Sequence, residues 1–254
     1  MENFALFKRH VDAIHSGIKM VIEGRGSRAD WPTLISEDAG DEGMKVIFCE
    51  PAILWDAPIR GSTSSSLYKR AIVMDGNFYF KNGTFDKGSA CLEVYRVVRP
   101  QGKGQCKLEL LEAMHFDIEP HALQSPFHPM FHVQFGKNHR WKLSDLRARI
   151  ARLAKVDGEN VVIDRELMIP SRDVRIPTPQ MDYLSMLVMV IADYFCEKNS
   201  THAVRTGFRS LLKMVMDSKN VARNGRQSIQ LEKRWNNQGD QPFCASHWYE
   251  ESCN

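Results

Sequence analysis

Five of the nine histidines fall between His115 and His139, in the stretch His115-Phe-Asp117-Ile-Glu119-Pro-His121 followed by Phe127-His128-Pro-Met-Phe-His132-Val-Gln134-Phe-Gly136. Imidazole changes charge near neutral pH and is the commonest metal ligand. On a strand, residues two apart share a face. His115, Asp117 and Glu119 would then line one side of a strand, and His128 and His132 would share a face with Gln134. If the two segments are neighbours, His115, Asp117, His128 and His132 converge. Imidazole with carboxylate suits zinc, manganese, iron or nickel, and an open coordination position would let a divalent metal activate water. That chemistry belongs to a metal-dependent nuclease or phosphodiesterase. There is no H-E-x-x-H run, and Pro120, Pro126 and Pro129 interrupt regular backbone between the two halves. The competing reading makes these rings a scaffold that hydrogen-bonds loop carbonyls in a proline-rich crossover, and it is preferred over the catalytic one.

Other candidate chemistry is weaker. Arg172-Asp-Val-Arg175 precedes a Pro-Thr-Pro corner. Two arginines where a helix begins could bind an anion, or could brace a turn through an ion pair. A restriction-type nuclease core needs an acid followed by acid-x-Lys, and the nearest match, Asp75 with Glu93-Val-Tyr95, has Tyr in the Lys position. The serine-rich stretch Gly61–Ser66 lacks phosphate-loop spacing, and no G-x-S-x-G elbow is present. Cys244, His247 and Cys253 make only three ligands near Trp235, Trp248 and Tyr249, a poor zinc signal.

The 254 residues, 43% hydrophobic and 26% charged, have the balance of a folded globular chain. The net charge of +3 does not by itself imply nucleic acid. Its distribution is uneven. Residues 30–56 carry seven acids against Lys45 alone, whereas residues 205–234 carry eight bases against Asp217 and Glu232. Arg147, Arg149 and Arg152 add a second basic group. Together with Arg172, Arg175, Arg205, Arg209 and Lys213 they are the candidate binding residues for phosphates or an acidic partner. Sequence-independent contact to an RNA or DNA backbone would use the same side chains. The six cysteines form no C-x-x-C pair, and Met-Glu-Asn-Phe is not the start of a signal peptide, so a cytoplasmic location with reduced thiols is expected. No apolar run approaches the roughly 20 residues that span a bilayer, so no membrane partner is expected.

These side chains need elements to hold them. Phe4, Phe7, Val11, Ile14, Ile18 and Val21 alternate at spacings of three and four, which predicts one amphipathic helix ended by Gly24 and Gly26, with an acidic loop after it. Strands are expected at Met44–Cys49, Tyr68–Met74, Phe78–Lys81, Ala90–Val98, Cys106–Ala113 and Phe131–Phe135. Asp75-Gly76-Asn77 and the glycines of residues 100–105 read as hairpin turns. Short connections imply an antiparallel meander. A helix capped by Ser144, a strand-like Val161–Ile163, a buried helix over Met181–Lys198 and a last helix beginning near Ser200 or Thr201 follow. The fold class is α+β: an N-terminal helix, an antiparallel β-meander sheet (about 44–136) and a C-terminal helical half (about 141–218) packed on that sheet. Residues 1–218 form a single domain, and 219–254 a polar tail.

Phe127-His128-Pro-Met-Phe-His132-Val-Gln134-Phe-Gly136, taken with the later Arg175-Ile-Pro-Thr-Pro179-Gln-Met181-Asp182, resembles uncharacterised bacterial proteins found near toxin–antitoxin and phage-defence genes. The resemblance spans about residues 68–195. It implies an accessory or toxin-like component and gives no residue a role. With no motif that names a reaction, the expected function is a non-catalytic accessory component of such a system. It would bind a protein or ribonucleoprotein partner as a homodimer, with the metal-dependent enzyme as the alternative.

Overall fold

The computed structural model describes residues 2–40, 43–59, 69–81, 84–99, 104–118, 131–136, 141–166, 172–178, 181–197 and 200–216. His121, His128, His139, Glu119, the serine-rich stretch and the whole tail from residue 217 lie outside the described residues, as do the side chains of Arg172 and Lys213.

The chain opens with α1 (Glu2–Gly17) and α2 (Lys19–Glu23). The predicted stripe is real: Phe7, Val11, Ile14, Ile18 and Val21 are all buried. The single predicted helix is broken at Gly17–Ile18, where helix α5 (His202–Met216) comes close enough that a Cβ on Gly17 would sit 3.0 Å from Met214.

Among the described residues the sheet has ten strands. β1 (Arg28–Asp30) and β2 (Leu34–Asp38) occupy what reads as acidic loop in the sequence. β2 pairs with β3 (Met44–Phe48), and β1 pairs with β4 (Ala52–Ala57). Both β3 and β4 lie along β5 (Lys69–Lys81), so β3 and β4 together make one long, interrupted strand, and β1 and β2 make another beside it. β5, β6 (Thr84–Val98) and β7 (Cys106–Ile118) are the long antiparallel centre. Beyond β7 the sheet divides again: β8 (Phe131–Phe135) pairs with its second half and β9 (Val161–Asp164) with its first. β10 (Arg172–Pro177) closes the path against β8.

Three details differ from the sequence reading. Asp75-Gly76-Asn77 is not a turn but the middle of β5. The chain reverses after Lys81, which pairs with Thr84 across Asn82-Gly83. The physical reason sits on the helix side. A Cβ on Gly76 would lie 3.0 Å from Tyr183 Cβ and 3.1 Å from the Ser89 carbonyl, so glycine is there for close packing, not for positive φ. Second, the meander carries one parallel pair, β7 with β9. Parallel pairing requires a long crossover, supplied by β8 and helix α3 (Leu143–Ala154). Third, Arg172–Pro177 is an edge strand and not a corner, so β8 is not the last strand. The cap of α3 is also displaced: Lys142 occupies the position expected for Ser144 and makes no side-chain cap bond.

Each face of the sheet has its own core. One is covered by α1, α2, α5 and α4 (Tyr183–Phe195), which bury Phe7, Ile14, Tyr183, Leu187, Ile191 and Phe195 against Phe48, Ile72, Phe78, Leu92, Phe116 and Phe131. Phe7 meets Phe78 and Phe80 edge-on at 4.8 and 5.4 Å, a geometry that adds to area burial. Asp182 caps α4 by accepting from the Ser185 N–H at 2.8 Å. On the opposite face α3 lays Leu146 and Ile150 over Trp55, Val73, Tyr95, Leu108 and Val161. It covers only the end of the sheet where β4, β9 and the first half of β7 lie, and the chemistry-bearing residues occupy the other end of that face.

Candidate functional site

Strand alternation decides which residues meet. On β5, β6, β7 and β8 the residues Met74, Leu92, Phe116 and Val133 point into the helix-covered core. Their neighbours therefore project from the other face. Register then aligns two rows of polar residues across four strands. Asp75, Cys91, His115 and Gln134 form one row, and Asn77, Ser89, Asp117 and His132 form the next. Each strand thus contributes a polar pair at i and i+2. None of the eight is exposed, and Asp75 and His132 keep only 1% of their surface in solvent. Burying so many polar groups costs free energy unless they bond to one another.

They do bond. His115 lies between two partners, with Nδ1 2.9 Å from Cys91 Sγ and Nε2 2.6 Å from Asp117 Oδ1. Asp117 Oδ2 takes a second imidazole, His132 Nε2, at 3.2 Å. Asn77 Nδ2 donates to Ser89 Oγ at 2.7 Å, and the Ser89 N–H donates to Asn77 Oδ1 at 3.1 Å. The result is a chain, Cys91–His115–Asp117–His132, across three strands. Burial works against charge on both central groups, yet the bonds outweigh it. The Asp117 and Cys91 bonds push His115 up to about 10, and the two imidazole donors hold Asp117 down at about 2. At neutral pH His115 is an imidazolium donating from both nitrogens, and Asp117 is its carboxylate.

Beside this chain Glu93, the next residue on the same face of β6, accepts from the Tyr95 hydroxyl. Arg165 reaches in from the end of β9, donating to Tyr95 Oη at 3.1 Å and to the Trp141 carbonyl at 2.9 Å, with Glu93 Oε2 at 3.5 Å. Burial, then the neighbouring carboxylate, drives the Tyr95 phenol far above its ordinary range. The Asp75/Glu93-Val-Tyr95 pattern therefore does fall on adjacent strands. The cation beside Glu93 is Arg165, committed to a closed network.

Of the four residues expected to converge, the fold brings His115, Asp117 and His132 together, and His128 lies outside the described residues. Sequence reasoning missed Cys91, Asn77, Ser89 and Gln134's row partner Asp75. The usable signal was a polar i, i+2 pair inside each otherwise apolar strand. The donor types around Asp117 suit zinc, but the His115 ring spans from thiol to carboxylate, so its two nitrogens address different points. An ion would have to displace the bonds just described. Among the described residues no three His, Cys, Asp or Glu side chains are arranged as a ligand shell.

The expected binding arginines do not form one surface. Arg149 is 4% exposed, paired with Asp30 Oδ2 at 2.7 Å and donating to the Pro51 carbonyl. It is an internal strut between α3 and the β1 edge. Arg147 and Arg152 are on the exposed side of α3, whereas Arg205 and Arg209 are exposed on α5 across the sheet. Arg205 donates to the Ser200 carbonyl at 2.9 Å, and Arg175 is exposed on β10. The acidic segment is also partly spent internally, with Asp30 on Arg149 and Asp56 on Arg99 at 2.8 Å and Arg28 at 3.5 Å. No helix among the described residues is long and apolar enough to cross a membrane.

No family model, curated protein or solved structure matches this chain.

Proposed function

We propose that the chain is an enzyme, a hydrolase or group transferase whose acid–base chemistry is carried by His115 and Asp117. The single observation behind this reading is the pair of polar rows sunk in the sheet face opposite the helices. A sheet needs no such rows for stability, since apolar residues at these positions would pack as the neighbouring half does. An imidazolium fixed by a carboxylate can protonate a leaving group and then recover the proton from water. This reading keeps the enzymatic alternative expected from the histidine cluster and moves its centre from a metal to the imidazole. The test is a panel of chromogenic carboxylic, phosphomonoester and phosphodiester substrates, each with chelator and with added divalent metal. Turnover of one class, cut at least a hundredfold in His115→Asn with the melting transition retained, supports the reading. No class turned over above buffer, or full activity in His115→Asn, overturns it.

A second reading keeps the expected partner-binding component of a phage-defence or toxin–antitoxin-like system, acting as a homodimer. The outer strands favour it: β2 exposes Ile35 with Glu37 and Asp38, and β10 exposes Ile176 with Arg175. Sheet edges with apolar and unlike-charged residues are templates for pairing. Molar mass measured in solution at low and high salt tests it, and a monomer at both removes it.

A further inference from the structure

We infer that Cys91 is a nucleophile that forms a thioester with acyl substrates, that is, carboxylic esters, thioesters or activated amides. The inference rests on the enzymatic reading of the His115–Asp117 pair and names the bond it acts on. The geometry carries it. Cys91 and His115 are direct cross-strand partners, so neither side chain needs a loop to hold it. Sγ lies 2.9 Å from Nδ1, and the far nitrogen of the same ring lies 2.6 Å from Asp117. A nucleophile bonded to an imidazole that is oriented by a third group is the arrangement that activates a weak nucleophile. Asp117 is itself fixed by His132, so the ring cannot turn away without breaking bonds on both sides.

The other described cysteines make the contrast. Cys106 is buried in the α3-covered core, where burial pushes its thiol up to about 11. Burial likewise raises Cys196. Cys49 is exposed. Among the described cysteines, Cys91 alone combines partial exposure with a bonded imidazole. The charged groups facing it are His115 from β7, Asp75 from β5 and Glu93 along β6. The two carboxyl groups oppose a negative sulfur, and the Asp117-fixed imidazolium favours it.

The step balances as follows. The Cys91 thiolate attacks the carbonyl carbon and a C–S bond forms. The bond from carbon to the leaving oxygen, sulfur or nitrogen breaks, and the leaving group takes the His115 proton. Water then attacks the thioester and gives a proton to His115. The C–S bond breaks, the carboxylic acid departs, and the thiolate–imidazolium pair is restored. No oxidant or reductant is required.

The experiment uses the full chain and two probes. Iodoacetamide at pH 6, read by peptide mass mapping, should alkylate Cys91 at least tenfold faster than the more exposed Cys49, and His115→Asn should abolish that lead. p-Nitrophenyl acetate followed by acid quench should leave an acetyl group on Cys91 in the wild type and none in Cys91→Ser. Equal alkylation of Cys91 and Cys49, an unchanged lead in His115→Asn, or no acetyl adduct overturns the inference. Failure of the thiol and failure of the underlying reading are separable. Hydrolysis retained in Cys91→Ser but lost in His115→Asn removes only the nucleophile, whereas hydrolysis retained in both removes the acid–base role as well. Thermal melts of both variants establish that they are folded.

Discussion

Asp117→Asn should flatten the pH dependence of stability between pH 7 and 9. In the native state Asp117 and Cys91 hold His115 protonated up to about 10, against about 6.5 in the unfolded chain. A group with a raised native pKa contributes stability that is complete below the unfolded value and is lost as pH rises through the native one. Across pH 7 to 9 the native His115 ring holds one proton that the unfolded ring has released. Linkage then gives a slope of about −1.4 kcal/mol per pH unit, or about 2.7 kcal/mol over the interval. Both side chains keep some water, 12% for His115 and 17% for Asp117, so about 2 kcal/mol is the working figure. For a chain of this size that is a fall of about 4–8 °C in Tm.

Urea unfolding of wild type and Asp117→Asn at pH 7, 8 and 9 measures the difference directly. The variant should be less stable at pH 7 by about 2–4 kcal/mol, since a buried charge loses its partner, and the gap should narrow as pH rises. Phenol and lysine titrations, and those of the thiols other than Cys91, are common to both proteins and cancel in the comparison. Parallel stability curves would refute the imidazolium–carboxylate pair and, with it, the acid–base role. The acid side has the opposite sign. Asp117, held at about 2, contributes stability present above about 3.8 and lost as pH falls from there through 2.

Three further outcomes follow from the packing. Gly76→Ala should cost about 1–3 kcal/mol in denaturant unfolding, because the new methyl meets Tyr183 Cβ at 3.0 Å and backbone at 3.1 Å; a neutral result would return the Asp-Gly-Asn segment to a turn. Arg149→Ala should cost about 1–3 kcal/mol by removing the buried guanidinium from Asp30 and leaving the Pro51 carbonyl without that donor, whereas Arg147→Ala on the exposed face should stay within about 0.5 kcal/mol. His15, buried, stacked on Trp31 at 4.1 Å and bonded to Tyr183 Oη at 2.9 Å, is held down to about 4 by burial. As pH falls from 6.5 to 4 the unfolded chain binds a proton that the native one refuses. The stability advantage of wild type over His15→Gln should therefore shrink by about 3 kcal/mol across that window, read by urea unfolding at pH 7 and 4.

Much of the helical layer was legible because a helix's periodicity is local. Phe7, Val11, Ile14 and Ile18 announce one face whatever they pack against, and the run at residues 183–195 is apolar nearly all round because most of it is buried. The long hairpin strands β6 and β7 were legible for a similar reason, their turn being rich in glycine. What failed was each judgement that depended on a distant partner. Asp75-Gly76-Asn77 has the composition of a tight turn, but Tyr183, more than a hundred residues away, needs a residue without a side chain there. Arg149 reads as one of a basic run on α3 until Asp30 and Pro51 close over it. Asn82-Gly83 has a similar composition, and it is there, between the paired Lys81 and Thr84, that the chain reverses.

The same argument explains why the site was half visible. His115-x-Asp117 and His132-x-Gln134 stand out because histidine is rare and clustered. Their partners sit in Asp75-x-Asn77 and Ser89-x-Cys91, residue types that turns and loops use freely, so nothing local marks them. Only register ties the four pairs into two rows, and register is set by the apolar residues between them: Met74, Leu92, Phe116 and Val133 must all face the helices. A one-residue slip of any of these strands would turn its polar pair into the helix-packed core, where unpaired carboxylate or imidazole is strongly disfavoured. The packing that stabilises one face of the sheet is therefore what assembles Cys91, His115, Asp117 and His132 on the other, and a core substitution that shifts β6 against β7 should disable the site before it unfolds the protein.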